Sequence, residues 1–299
     1  MTDDTQTLCD RICEAQYRRR FYIKRLVMTE NALRALVRRR MGWSPDLSEA
    51  EREKINARAA GVVAKLMADK PVAEKDRAAA TDVAHDAERI RAARIPLQEG
   101  RRDAEMVMER AAKQLPVYAW VKTVRGFSAL GLAVIVAEAG GDLTATPGNY
   151  PNPDKLKRRL GLAPFKGKAG KSWRVGEKWA GRTLTSAEWQ EFGYDASRRA
   201  EVWGFIDQNV ERAFTGKYRA IYDTEKARFK EKGTQPIHAQ AHARRVVAQE
   251  VVIDLWRVWN GYAPRERQVA GDRPAGGGQE SRDSQHLAAP ADDDYEDAA

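Results

Sequence analysis

With 299 residues, 42% of them hydrophobic and 32% charged, the chain has ample material for a core, in one large domain or two ordinary ones. The net charge is +9, and nine Asp and Glu against four Arg after residue 263 leave the rest more basic still, so a polyanionic partner is expected. Two cysteines exclude a disulfide framework, and neither a signal peptide nor a bilayer-length apolar run is visible, so a cytoplasmic chain with no membrane partner is expected.

Residues 7–41 read as one long basic helix. Tyr22, Leu26, Leu33, Leu36 and Val37 fall near helical spacing, and Arg18, Arg19, Arg20, Lys24, Arg25 and Arg38 to Arg40 fill the other faces. Two readings fit: a solvated face on an antiparallel helical hairpin or coiled coil, or an arm that also touches nucleic acid. Cys9 and Cys13, one turn apart, read as buried thiols. Gly42-Trp43-Ser44-Pro45 ends the helix, and Ser48 with Glu51 forms a capping box for the next. From 49 to 112 the chain is rich in Ala, Arg, Glu, Asp and Lys, punctuated by Pro71 and Pro96, and is expected to be helical and thinly packed. His85 reads as a surface residue. Residues 1–114 are thus expected to form a basic helical hairpin or coiled-coil region.

The stretch 115–182 organises the rest. Val124-Arg125-Gly126-Phe127-Ser128 ahead of an apolar run, Ala129 to Gly140, reads as a hairpin between two helices. Such a turn offers backbone amides to phosphate. A basic segment follows, with Lys155, Lys157, Arg158, Arg159, Lys166, Lys168, Lys171 and Arg174 interleaved with Phe165, Trp173 and Trp179. Cations among aromatics suit a nucleic-acid strand, the cations taking phosphates and the rings taking unpaired bases.

Further on, Thr185 and Glu188 form another capping box, ahead of Trp189 and Phe192. Ala200, Trp203, Ile206 and Val210 make an amphipathic stripe. A last helix over 236–261 sets Val247, Val251, Leu255 and Trp259 on one stripe with Val252 and Trp256 beside it, a pattern buried on most sides. His238 and His242 share its zinc-like i, i+4 spacing but lack a third ligand in sequence and read as surface or helix-start residues. No segment alternates with period two, so the fold class is expected to be all-α, with a domain over 115–262 and a disordered acidic tail over 263–299.

Three strings carry a family resemblance: Arg125-Gly126-Phe127-Ser128, then Val136-Ala137-Glu138-Ala139-Gly140, then Leu160-Gly161-Leu162-Ala163-Pro164. Their order and spacing resemble the carboxy-terminal helix-hairpin-helix domain of the bacterial serine transposases of the IS one-ten and IS eleven-eleven insertion-sequence type. Ser197-Arg198-Arg199-Ala200 and Ala241-His242-Ala243-Arg244-Arg245 resemble later helices of that domain.

The resemblance implies a transposase-like DNA-binding protein that takes part in DNA transposition and recombination. Its DNA-binding residues would be Arg125, Gly126, Ser128, Lys155, Arg158, Arg159, Lys166, Lys168, Lys171 and Arg174. It implies DNA as partner and a structured guide RNA beside it; a homo-oligomer is expected as well. In the family a serine after Leu-Gly-Leu-Ala-Pro attacks a DNA phosphate, while a resolvase-like domain supplies four carboxylates that hold magnesium. No such domain is visible ahead of the helical hairpin, so magnesium is expected only if a partner supplies the carboxylates. Ala169 stands where the serine is expected; Ser172, between Lys171 and Trp173, is either a realigned nucleophile or a loop hydroxyl that contacts phosphate. Two functions stay open: a transposase, truncated or catalytically incomplete, or a non-catalytic nucleic-acid-binding protein derived from one.

Overall fold

No glycine or proline interrupts residues 3–40, and the chain runs through them as α1 (Asp3–Arg40), 38 residues and about 57 Å at 1.5 Å per residue. The computed structural model describes residues 3–162, 196–206, 210, 213 and 215–266, and every regular element among them is helical. The all-α expectation therefore holds for the described residues, none of which lies in a strand. No described helix is long and apolar enough to cross a membrane.

The capping box anticipated at Ser48 and Glu51 opens α2 (Glu49–Met67): the Glu51 amide donates to Ser48 Oγ, and the Ser48 amide donates to Glu51 Oε2 at 3.0 Å. A 3-10 turn (Glu74–Asp76) and a short α3 (Arg77–Asp82) lead into α4 (Ala84–Ala112). The helix that pairs with α1 is α4, not its neighbour α2. Arg19 meets Glu105, the Tyr22 ring lies against Gly100, and Arg94 donates to the Leu26 carbonyl. Partners fall along α4 as they rise along α1, so the two run antiparallel. Pro96 does not punctuate the helix as its sequence suggested; it sits inside α4. A proline there forfeits a backbone hydrogen bond and costs about 3 kcal/mol. The Arg94 and Gly100 contacts with α1 hold the helix on either side of it.

The described residues contain two apolar clusters. A small one gathers Leu33, Val37, Val62, Val63 and Val83 with three alanines between the far end of α1, α2, α3 and the start of α4. The large one has α6 (Ala129–Ala139) at its centre, with Leu132 to Val136 wholly buried. A helix apolar on every face needs partners all round. The same cluster takes in Leu8, Cys9 and Ile12 of α1, Met108 of α4, Leu156 of α7 (Pro153–Arg159), Val202 of α8 (Ala196–Phe205), Ile221 of α9 (Lys217–Glu231) and Val247 to Leu255 of α10 (Pro236–Trp259). A short α5 (Tyr118–Val121) leads into the turn before α6. This core runs without a break across residue 114.

On α8 and just beyond it, the buried stripe is Val202, Ile206 and Val210; of the other residues expected there, Ala200 is exposed and Trp203 half-buried. On α10 the expectation holds for Val247, Val251, Val252, Leu255 and Trp256, which are buried, while Trp259, expected on the same stripe, is half-buried. Residues 263–265, expected to begin the tail, are tied to α10: the Arg265 amide donates to Asp254 Oδ1 at 2.7 Å and Arg257 Nε to the Ala263 carbonyl at 2.7 Å. Thr185, Glu188, Trp189, Phe192 and the acidic segment from Arg267 lie outside the described residues.

Candidate nucleic-acid interface

The turn before α6 is built as its sequence suggests. The Phe127 amide donates to the Val124 carbonyl at 3.0 Å, closing a four-residue turn whose third position is Gly126 at φ +83°. A left-handed third position is what glycine alone adopts without a Cβ clash. Val124 and Phe127 are buried, Phe127 edge-on to Trp120 with ring centroids 6.0 Å apart, so the turn is anchored at both ends. Its apex, Arg125 and Gly126, is exposed. Ser128 then caps α6, accepting the Gly131 amide on Oγ at 3.0 Å. Arg125 reaches across to Thr215, donating from Nη1 to Oγ1 at 2.8 Å, which aims its guanidinium along the surface beside the turn.

The Leu160-Gly161-Leu162 string has a local structural cause. It closes α7: Gly161, at φ +69°, gives its amide to Arg158 O at 2.9 Å, and Leu162 gives its amide to Lys157 O at 2.8 Å. That is a Schellman cap, with the glycine in the left-handed position and a leucine on each side. Both leucines are buried in the large core, and the Leu162 carbonyl accepts Gln249 Nε2 from α10 at 2.5 Å. The cap thereby fixes where α7 points.

Lys155, Arg158 and Arg159 are exposed on α7 and make no ion pair among the described residues; Lys157 is held by Asp154 at 2.7 Å. A Cβ placed on Gly140 would lie 3.8 Å from Arg159 Nη2, so this guanidinium sits at the carboxy-terminal end of α6. Arg125 sits at the opposite end. Eleven residues of helix separate them by about 16 Å, so the cations form two groups at the two ends of one buried helix. Lys166, Lys168, Lys171, Arg174, Ala169 and Ser172 lie outside the described residues, as do Phe165, Trp173 and Trp179.

No family model, curated protein or solved structure matches this chain.

Among the buried carboxylates that the sequence did not single out, Glu138 and Asp254 are the most deeply buried. Glu138 is 3% exposed; it accepts Gln16 Nε2 at 2.7 Å and faces Arg20 at 3.4 Å and Arg198 at 3.9 Å. Arg19, expected on a solvated face, is 6% exposed, bridging Glu105 at 3.0 Å and Glu201 at 2.8 Å and donating to Gln16. Together these groups join α1, α4, α6 and α8 in a network of alternating charge. Asp254 of α10 is fully buried and accepts Lys217 Nζ at 2.5 Å, Tyr218 Oη at 2.6 Å and the Arg265 amide. Burial, then the Asp254 charge, pushes the Tyr218 hydroxyl far above its usual range, so it stays a donor. Both carboxylates are surrounded by donors, which suits them to hold helices together rather than to move protons.

His238 is exposed, while His242 packs against Glu225 at 3.4 Å and stacks on Phe229 with ring centroids 3.6 Å apart. Burial first, then Arg245, lowers its pKa against the pull of Glu225. Among the described residues no three His, Cys, Asp or Glu side chains converge to hold a metal ion. Cys9 is buried, its thiol pushed up to about 12 by desolvation and then by Asp142; Cys13 is raised for the same first reason. Neither thiol is set up as a nucleophile.

Proposed function

We propose that this chain is a transposase-like DNA-binding protein of an insertion sequence, holding a sugar–phosphate backbone at the Val124–Phe127 turn and at the cations of α7. The observation that carries this reading is the turn: an exposed Arg125-Gly126 apex, anchored by buried residues on both sides, feeding a Ser128-capped helix. Exposed Lys155, Arg158 and Arg159, a helix length away, give a second hold on the same polyanion.

The test is the salt dependence of duplex binding. Arg125→Gln with Lys155→Gln, Arg158→Gln and Arg159→Gln should weaken binding, and the slope of log K against log salt should fall by about one for each phosphate no longer neutralised. Lys54→Gln with Lys65→Gln, exposed on α2, should change neither. Unchanged affinity and slope in the fourfold variant would refute the reading. Ala169 favours a second reading, binding without strand transfer. A covalent protein–DNA adduct formed with magnesium and lost in Ser172→Ala would refute that one.

A further inference from the structure

The solvent side of α1 carries a pattern that neither the core nor the hairpin uses. Between Ala15 and Thr29 stand five Arg and Lys and no Asp or Glu. On the same stretch Tyr17 is 78% exposed, Phe21 47% and Met28 50%. At about 100° per residue, Tyr17, Phe21, Lys24 and Met28 fall within an arc of roughly 60°, with Arg25 and Arg18 along one flank. The Arg25 guanidinium lies over the Phe21 ring, 5.2 Å from its centroid. A shallow groove of about 530 Å³ opens beside Tyr17, Phe21 and Lys24 and is walled on its far side by Ser197 and Glu201 of α8. The Glu201 charge is already met by Arg19 at 2.8 Å, so it does not offset the cations of the stripe.

We propose that this stripe is a stacking platform for single-stranded nucleic acid, bases lying on Tyr17 and Phe21 and phosphates on Lys24, Arg25 and Arg18. Every base has a π-face, so such a surface binds without reading sequence. Four residues of helix put the two rings about 6 Å apart along the axis, beyond the roughly 3.4 Å rise of a stacked strand, so the strand is held stretched with its bases apart. Charge selects this partner over a second copy of the chain, since two faces that each present Arg18, Lys24 and Arg25 would repel each other. It also selects it over a membrane surface, because the apolar arc is narrow and Lys24 stands within it. This platform shares the polyanion reading of the hairpin but lies on a different surface, so either can fail alone.

The test is anisotropy of a labelled oligothymidylate against a labelled duplex, with the full chain. Tyr17→Ala should weaken oligothymidylate binding roughly tenfold and Tyr17→Ala with Phe21→Ala roughly a hundredfold. Tyr17→Phe should keep it, and duplex binding should stay within about twofold in all three variants. Both side chains are exposed, so thermal melting should be unmoved. A bromodeoxyuridine oligonucleotide should crosslink to the peptide that contains Tyr17 and Phe21. Undiminished oligothymidylate binding in the double variant overturns the proposal, as does a wild-type chain that binds duplex alone. A double variant that instead loses binding to phosphatidylserine vesicles, or dissociates from dimer to monomer, with oligothymidylate binding intact, assigns the stripe to a membrane or a second copy and overturns it too.

Discussion

Removing the Glu138 carboxylate should loosen the joint between α1, α6 and α8. It accepts the Gln16 amide at 2.7 Å and faces the guanidinium groups of Arg20 at 3.4 Å and Arg198 at 3.9 Å. Glu138→Ala leaves the buried Gln16 amide without that acceptor and two cations without that counter-charge. Removing one side of a buried pair typically costs 3–5 kcal/mol. Arg20 is 40% exposed and keeps water as a partner, which places the expected loss near the lower end, about 3 kcal/mol. Against a total of about 5–15 kcal/mol, that is a large fraction of the stability. Glu138→Gln keeps the shape and one acceptor and should lose about 1–2 kcal/mol. Urea denaturation reads both as a lower midpoint at unchanged m. A cycle with Gln16→Leu should return a coupling of about 1–2 kcal/mol, since the two side chains are in direct contact. A Glu138→Ala loss below about 1 kcal/mol, or a zero coupling, would show that the network carries no net stability and would refute this reasoning.

Gly161→Val puts a β-branched residue at φ +69° in the cap of α7 and should lose about 1–3 kcal/mol, with accelerated amide exchange at Leu160 and Leu162; a variant as stable as the parent would mean the cap tolerates a side chain. His242 is expected to shape the acid limb of stability. Its folded pKa lies below the free value of about 6.5, so its contribution is complete above that value and is lost as pH falls through the folded one. His242→Gln should flatten the stability profile below about pH 6.5, and an NMR titration placing the folded His242 at or above the free imidazole would refute the sign.

Much of the helical content was legible, because the features that specify it are local. Ser48 with Glu51 announced a cap that forms, and Gly42 a stop that α1 obeys one residue early. The apolar run after Ser128 announced a buried helix. What escaped were long-range choices. Nothing in residues 3–40 says that α4 rather than α2 lies along them, since that depends on which surfaces both helices leave for others. Pro96 looked like a boundary because the contacts that hold α4 come from α1, some seventy residues away in sequence. Glu138 stood in an alanine- and valine-rich run as an ordinary polar position. Its burial follows from Gln16 on α1, a residue with no signal in the sequence pattern, and from Arg20, placed by its sequence on a charged outer face. At the candidate interface, the Arg125-Gly126 apex was legible from turn chemistry. The Leu-Gly-Leu string, read as a family mark, is also a helix stop that any sequence with that need would use.

The pairing of α1 with α4 bears on how the chain folds as it is synthesised. Leu8, Cys9 and Ile12 leave the ribosome well before the surfaces they close against, from Met108 to Leu143 and on to α10, which follow about a hundred or more residues later. Until then α1 carries bare leucine, isoleucine and cysteine with no mate. Contacts so far apart in sequence make the final docking slow. A nascent chain of this design is most open to aggregation and to chaperone capture during that interval, and translation rate should influence its yield more than the stability of the finished fold does.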